Sequence, residues 1–408
     1  MRFVIFAALT LVVTPASAAD WPQFLGPNRD SHSAETKLNW NWPKAGPKQV
    51  WSTEVGTGWA GPIVAAGKLI LFHRVENEEI LAALDPATGK EVWSAKYPTK
   101  YRDDFQFDNG PRATPLAIEG KLFTLGANGD FHGWELATGK KLWGRNLLAD
   151  YKSPKGFFGV ACSPVMIGGK LLLNVGAKGA GIVAFDPADG KELWKATDDP
   201  ASYSSPAGGA DFDGKPSAVF LTRSGLRILE AATGKSLYDF PWRPRDANSV
   251  NAATPLVWKD EIFLTVSYAT GAAMVKAKGG ELTEVWTGDK SLSCQYSTPV
   301  RVGGYLYGIH GRADAGTAEL RCVEWTTGKV KWGEPKFGVS AIIAVDSGLL
   351  ALTEAGDLVR FDASADGYKE RARASILAKP TRAAPALADG RFFARDGTKL
   401  VCYSLKKE

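Results

Sequence analysis

The stretch Ala184-Phe-Asp-Pro-Ala-Asp-Gly-Lys-Glu-Leu-Trp194 returns along the chain, and its recurrence decides the fold. Copies read Ala83-Leu-Asp-Pro-Ala-Thr-Gly-Lys-Glu-Val-Trp93, Gly133-Trp-Glu-Leu-Ala-Thr-Gly-Lys-Lys-Leu-Trp143, Ile228-Leu-Glu-Ala-Ala-Thr-Gly-Lys-Ser-Leu-Tyr238 and Cys322-Val-Glu-Trp-Thr-Thr-Gly-Lys-Val-Lys-Trp332, with a looser one at Lys278-Gly-Gly-Glu-Leu-Thr-Glu-Val-Trp286. Each copy has the chemistry of a β-hairpin. An apolar strand ends at an acidic residue, and Pro or Ala follows where a type I turn takes φ near −65°. Gly then supplies the positive φ of a bulged hairpin, and a short strand leaves the turn toward an aromatic. The terminal aromatics Trp93, Trp143, Trp194, Tyr238, Trp286 and Trp332 are 50, 51, 44, 48 and 46 residues apart. An all-strand unit of that period is one four-stranded blade, so the spacing predicts an all-β, eight-bladed propeller of antiparallel blades.

The blade count comes from a second recurring feature, a small residue before Pro at the start of each innermost strand. It reads Gly61-Pro-Ile-Val, Thr114-Pro-Leu-Ala, Ser163-Pro-Val-Met, Ser205-Pro-Ala-Gly, Thr254-Pro-Leu-Val and Thr298-Pro-Val-Arg, with degenerate forms at Ser340-Ala-Ile-Ile and Ala384-Pro-Ala-Leu. Pro at a first strand position sacrifices no ladder hydrogen bond. An extra turn, residues 209–216, is expected between the first two strands of the fourth repeat. The last repeat ends one strand short, while Gln49–Val55 is an outer strand with no inner strands before it. That strand is expected to complete the last blade and leave no sheet edge open.

The pattern A-x-D-x-x-T-G-K-x-x-W resembles the repeat of the quinoprotein-type, PQQ-like propellers. That group includes pyrroloquinoline quinone (PQQ) dehydrogenases, the outer-membrane assembly lipoprotein BamB and many exported propellers. The resemblance covers nearly all of the chain after its first residues. It implies the fold strongly and the ligand weakly, because a repeat that docks blades together says little about what the ring binds.

Length alone, at 408 residues, would divide into two or three domains, but blades of one ring share a single closed structure. The expected organisation is a signal peptide over 1–18, an extended segment over 19–48 and the propeller over 49–408. Arg2, the apolar run Phe3–Val13 and the small-residue site Ala16-Ser17-Ala18 make the three parts of an export signal. Export to the periplasm or beyond follows as an expectation, with no membrane-spanning segment, no lipid-anchored Cys after the cleavage site and a monomeric ring. The formal charge of +5, or +4 without Arg2, is spread without a Lys/Arg cluster, so no nucleic acid partner is expected. Cys162, Cys294, Cys322 and Cys402 allow three disulfide connectivities, against the simpler alternative of small buried thiols in strands. Trp21, Phe24, Trp40 and Trp42 are expected to pin the extended segment, which begins Asp20-Trp-Pro-Gln-Phe-Leu-Gly-Pro-Asn-Arg-Asp30, across one face or edge of the ring.

Residues just before each innermost strand line the mouth of a propeller's funnel. Here they nominate Trp59, Asp108, Asn109, Arg112, Phe158, Tyr203, Asn251, Gln295, Tyr296 and Arg382 as ligand-binding residues. Aromatics, amides and two Arg suit a polar or anionic organic ligand. The resemblance implies, for a dehydrogenase, PQQ with calcium, an acidic base, a Trp platform and often an adjacent Cys pair. No adjacent Cys pair is present, the funnel segments carry one acid, Asp108, and no catalytic residue of those enzymes carries over to a numbered position. His32, His73, His132 and His310 lack metal-ligand spacing. Residues 211–214 lack the later ligands of a calcium loop, and 176–181 joins strand to strand with no helix to cradle phosphate. No catalytic residue, metal or cofactor is therefore assigned. The expected function is a non-catalytic binding or scaffold propeller of the bacterial cell envelope, with an envelope protein or a small polar ligand in the funnel as partner. The alternatives are a PQQ-dependent alcohol or sugar dehydrogenase and a propeller that binds or processes glycans.

Overall fold

The computed structural model describes residues 20–36, 38–244, 250–346 and 348–407. The expected signal peptide lies outside these residues. Eight sheets of antiparallel strands follow one another around a ring, as the repeat predicts. Blades 1 to 7 occupy residues 63–98, 116–146, 165–196, 210–241, 256–288, 300–334 and 340–375. Blade 8 combines 386–404 with Lys48–Glu54, whose residues pair antiparallel with Lys399–Ser404 as the outermost strand. The closing strand therefore starts one residue earlier than Gln49. The one helix among the described residues, Leu147–Tyr151, is capped by the Asn146 side chain.

The recurring hairpin now has a packing reason. Five outer-strand Trp lean onto the turn of the next blade and donate the indole N–H to a carbonyl there: Trp51 to Pro86, Trp143 to Pro187, Trp194 to Ala231, Trp286 to Trp325 and Trp332 to Ser364, whereas the buried Trp93 N–H has no partner among the described residues. The turn glycine lies flat under the indole. A Cβ on Gly89, Gly139, Gly190, Gly234 or Gly328 would come within 2.4–2.7 Å of the ring of Trp51, Trp93, Trp143, Trp194 or Trp286. Gly is thus required twice, for its φ of 70–76° and for the neighbour's ring. Every blade has a bulge in its outer strand. The bulge turns the residue before the aromatic outward, which leaves Val50, Val92, Leu142, Leu193 and Val285 exposed singly around the circumference.

The small residue before Pro has its own task. Gly61 N–H donates to Thr114 Oγ1, Thr114 N–H to Ser163 Oγ, Ser163 N–H to Ser205 Oγ and Thr254 N–H to Thr298 Oγ1. These hydroxyls tie blade 1 to 2, 2 to 3, 3 to 4 and 5 to 6, so part of the polar lining there is structural.

Residues 20–36, with Leu38 and Asn39, run across one face of the ring and go deeper than a segment laid on its surface. They cross the channel where the innermost strands turn back and plug it. Trp21 pairs with Val64 of blade 1, and Ala117 of blade 2 donates to the Pro22 carbonyl. The Arg29 guanidinium, fully buried, donates to the carbonyls of Ser163, Pro164 and Pro206 in blades 3 and 4. Burial lowers its pKa to about 10, which leaves it charged at neutral pH. His32–Ser33 adds a parallel fifth strand to the inner edge of blade 7, so that sheet is not four-stranded as expected. Leu38 and Asn39 reach the C-terminal strand's end in blade 8. Blade 4 gives way to the plug: the expected extra turn is the inner strand Ala210–Phe212 with its tight turn, displaced because Gly208 lies against the Asn28 carbonyl, 2.6 Å from where a Cβ would stand. Blade 7 has no outer aromatic, and Trp40 and Trp42 pack against the core shared by blades 7, 8 and 1, with the Arg360 guanidinium of blade 7 4.6 Å from the Trp40 ring.

All four cysteines are buried free thiols, and burial pushes Cys162 and Cys322 up to about 11 and Cys294 and Cys402 up to about 12. The histidines are likewise structural. His73 Nδ1 accepts from Gly56, His310 Nδ1 from Ser293, and among the described residues no cluster of His, Cys, Asp and Glu could hold a metal. His132 sits at the seam of blades 1 and 2, its ring 4.4 Å from that of Tyr97, and burial lowers its pKa to about 4. The folded imidazole takes up its proton later than the unfolded one, so this part of the stability is full above about pH 6.5 and falls as pH drops. Between pH 7 and pH 5 the wild type is expected to lose about 2 kcal/mol more stability than His132→Phe. Denaturant melts at the two pH values check this, and equal losses would count against a neutral buried His132.

Candidate functional site

All ten nominated residues stand in the loops that precede the innermost strands, on the face away from the turns of those strands. They fall into connected groups. Trp59 is the centre of the first, with the guanidinium carbons of Arg112 and Arg382 each 4.9 Å from its ring centroid. Arg112 is buried beneath the surface, stacked 4.8 Å from Tyr101 and donating to the carbonyls of Gly110 and Asp108 and to Asp103 at 3.2 Å. Asp103, absent from the nominated set, organises this loop by accepting from the backbone N–H groups of Phe105, Phe107 and Asp108. Asp108 accepts from Gly58 at 3.1 Å and Gly110 at 2.6 Å, and Asn109 from Asp103 at 2.9 Å. The Asp108 carboxylate is thus spent on backbone N–H groups.

Arg382 extends the group across the mouth. Its Nε donates to Glu354 at 2.8 Å, and Tyr296 lies against the same carboxylate. Burial, and then Glu354, push the Tyr296 phenol up, and burial does the same to Tyr101 and Tyr203. All three stay protonated at neutral pH. Gln295 donates to Asp314 at 2.9 Å and accepts from the Ala313 N–H, while Arg312 pairs with the same Asp314. Asn251 is buried and structural in its contacts: its amide donates to Thr222, and its carbonyl accepts from Tyr203 and Ser204. Its sequence neighbours Asn248 and Ser249 lie outside the described residues.

The last group is aromatic and open. Phe158 lies 5.2 Å from Phe105, 6.2 Å from Phe107 and 5.5 Å from Tyr203, and Phe157 is 6.3 Å from Phe105. Phe105 and Phe107 are 51% and 58% exposed. With the five bulge residues accounted for, they are two of only four other large apolar side chains exposed among the described residues, with Val75 and Trp258. Cations flank the patch: Arg382 stands 5.5 Å from the Phe107 ring and Arg223 5.8 Å from Phe157. The blade repeat does not extend to this loop, which is why Phe105 and Phe107 escaped notice; the sequence signal was an F-x-F in an otherwise polar stretch, Tyr101-Arg-Asp-Asp-Phe-Gln-Phe-Asp108.

A calcium site, as the repeat's resemblance implies for dehydrogenases, does not fit these residues: Asp103, Asp108, Asp314 and Glu354 are bonded to backbone N–H groups, to the Gln295 amide or to arginines, and no set of three metal ligands converges among the described residues.

Among solved structures the chain is similar to BamB from Moraxella catarrhalis, with TM-score 0.65 at 14% identity over 88% of this chain and 99% of that one. It is also similar to quinohemoprotein alcohol dehydrogenase from Comamonas testosteroni, with TM-score 0.63 at 14% identity over 97% of this chain and 82% of that one. A third match is the computationally designed Ika8 protein, with TM-score 0.58 at 11% identity over 88% and 100%. At such identities the likeness is one of fold. No curated protein matches. Among the described residues no helix is long and apolar enough to cross a membrane. The family model described as outer membrane protein assembly factor BamB matches residues 76–334, from the first blade into the sixth, and the chain belongs to that family.

Proposed function

We propose that this protein is a non-catalytic binding propeller of the bacterial cell envelope, which docks a partner protein on the aromatic rim of its open mouth. The observation that carries this reading is the exposed Phe105 and Phe107, continuous with Phe157, Phe158 and Tyr203. Solvent-facing aromatics grouped beside arginines are the composition of interface anchors, whereas a catalytic mouth needs acids or bases free to exchange protons. Here Asp103, Asp108, Asp314 and Glu354 are all held by internal partners. The partner that suits this rim offers apolar side chains with carboxylates beside them, matched to Arg223 and Arg382.

The test uses the purified protein as bait against solubilised envelope proteins, beside a Phe105→Ser, Phe107→Ser double variant. A defined partner captured by the wild type should fall at least about tenfold in the variant, since central aromatic anchors are each worth about 2 kcal/mol or more. The melting temperature should hardly move, because both side chains already face water. Unchanged capture overturns the rim. Stoichiometric PQQ binding with calcium, accompanied by dye reduction on alcohols or sugars, overturns the non-catalytic reading.

A further inference from the structure

Among the described residues the plug bonds to seven blades and misses one. Among the described residues no hydrogen bond joins it to blade 5. The gap is a cavity of about 1050 Å³ between Asn28–His32 of the plug and the inner strands of blades 4, 5 and 6, on the face opposite the aromatic rim. That volume is in the range of small-molecule sites. Two glycines keep the wall low: Gly208 backs onto the plug, and a side chain at Gly209 would meet nothing.

The cavity holds an unusual cation. The Arg301 guanidinium lies 4.1 Å from the Trp258 ring and 5.0 Å from the Trp325 ring. Its side chain makes no hydrogen bond or ion pair among the described residues, and its Nε is buried without a partner. The nearest acid that acts on it, Glu261, accepts from the Trp325 indole at 2.5 Å. Arg29, the other guanidinium of this cavity, is consumed by three carbonyls. A buried donor group left open is costly, and the cost is recovered when an acceptor arrives. Beside it Trp258 is 46% exposed although Arg301 covers one face, so the other face is bare. His32 Nε2–H holds the Arg301 carbonyl at 2.7 Å and fixes the plug against this strand.

The lining also carries acceptors, Asp30 and Asp211. A bare indole, an unpaired planar donor and carboxylate acceptors around one cavity match a sugar ring, whose hydroxyls both donate and accept. A bare phosphate has no apolar face to lay on Trp258, while a carboxylate carried on a sugar ring answers Arg301 and leaves the ring to the indole. We propose that this cavity binds an acidic oligosaccharide, with a sugar ring stacked on the open face of Trp258 and a carboxylate of the chain paired with Arg301. The site is independent of the rim and of any partner bound there.

Titration of the full protein with tetragalacturonate, an alginate tetramer and a hyaluronan tetrasaccharide, followed by tryptophan fluorescence and calorimetry, tests it against neutral maltotetraose. At least one acidic tetramer should bind saturably and more tightly than maltotetraose. Trp258→Ala, at an exposed position, should weaken it about tenfold, the size of one stacked contact. Arg301→Gln should remove the preference for acid over neutral sugar, and Arg301→Lys should restore part of it if the first variant melts early. Phe105→Ser with Phe107→Ser should leave binding unchanged, which separates this site from the rim. The proposal is overturned by no saturable binding of any acidic tetramer, by binding that survives Trp258→Ala, or by binding of tetraglutamate with no binding of sugar.

Discussion

Replacing Lys48–Glu54 by a Gly-Ser segment of the same seven residues is expected to cost the chain its cooperative fold. The substitution leaves the plug tethered and removes only the closing strand. Three losses coincide. Lys399–Ser404 loses its antiparallel partner and becomes an open edge along a whole blade. Trp51 no longer covers Gly89 or donates to Pro86, so blade 8 loses its docking onto blade 1. The seam packed around Phe393, whose ring lies 6.1 Å from that of Trp51, opens to water. Loss of the half-buried Trp51 alone costs about 3 kcal/mol, the lower end for a large aromatic, against a total stability of about 5–15 kcal/mol for ordinary domains. The expected result is aggregation on size exclusion, or a melting transition lowered by tens of degrees. A monomeric variant that melts with the parent would show that the plug, and not the strand, closes the ring.

The blades were legible because their chemistry repeats: an acid, a turn Gly and an aromatic at fixed offsets cannot recur in phase without a repeated hairpin. What the repeat could not convey was why the Gly is there. Positive φ is a local property and visible in sequence, whereas the indole of Trp143 resting on Gly190 belongs to two blades at once. The same limit applies to Thr114 and Ser163, whose small size suggested a strand start but whose hydroxyls bind the neighbouring blade. The plug was harder still. Its strand is two residues long and pairs in parallel with residues more than three hundred positions away, and Arg29 works through backbone carbonyls that carry no sequence signature. At the mouth, position was readable and environment was not. Arg112 does stand beside Trp59, yet no spacing rule reveals that its terminal nitrogens and the Asp108 carboxylate are already bonded within the fold.

Trp194→Ala is expected to destabilise the ring by about 3 kcal/mol, at the lower end for a large aromatic because this indole is half-buried. The indole N–H donates to the Ala231 carbonyl at 3.1 Å, and its six-membered ring covers Gly234 in the turn of blade 4. Truncation therefore opens a gap between blades 3 and 4 and removes the partner of that carbonyl. Gly234→Ala attacks the same contact from the other side. Its φ of 76° costs an L-residue about 1–2 kcal/mol, and the new Cβ would stand 2.5 Å from Trp194 Cε3. The two effects differ in their dependence on the indole: the backbone cost persists without it, but the clash does not. The double variant should consequently be more stable than the sum of the singles predicts, by about 1 kcal/mol or more, since residues in direct contact couple at that scale. Urea denaturation of the four proteins measures the coupling. Strict additivity would mean that Gly234 is required only for its backbone angle, and that the tryptophan reaches the next blade without resting on it.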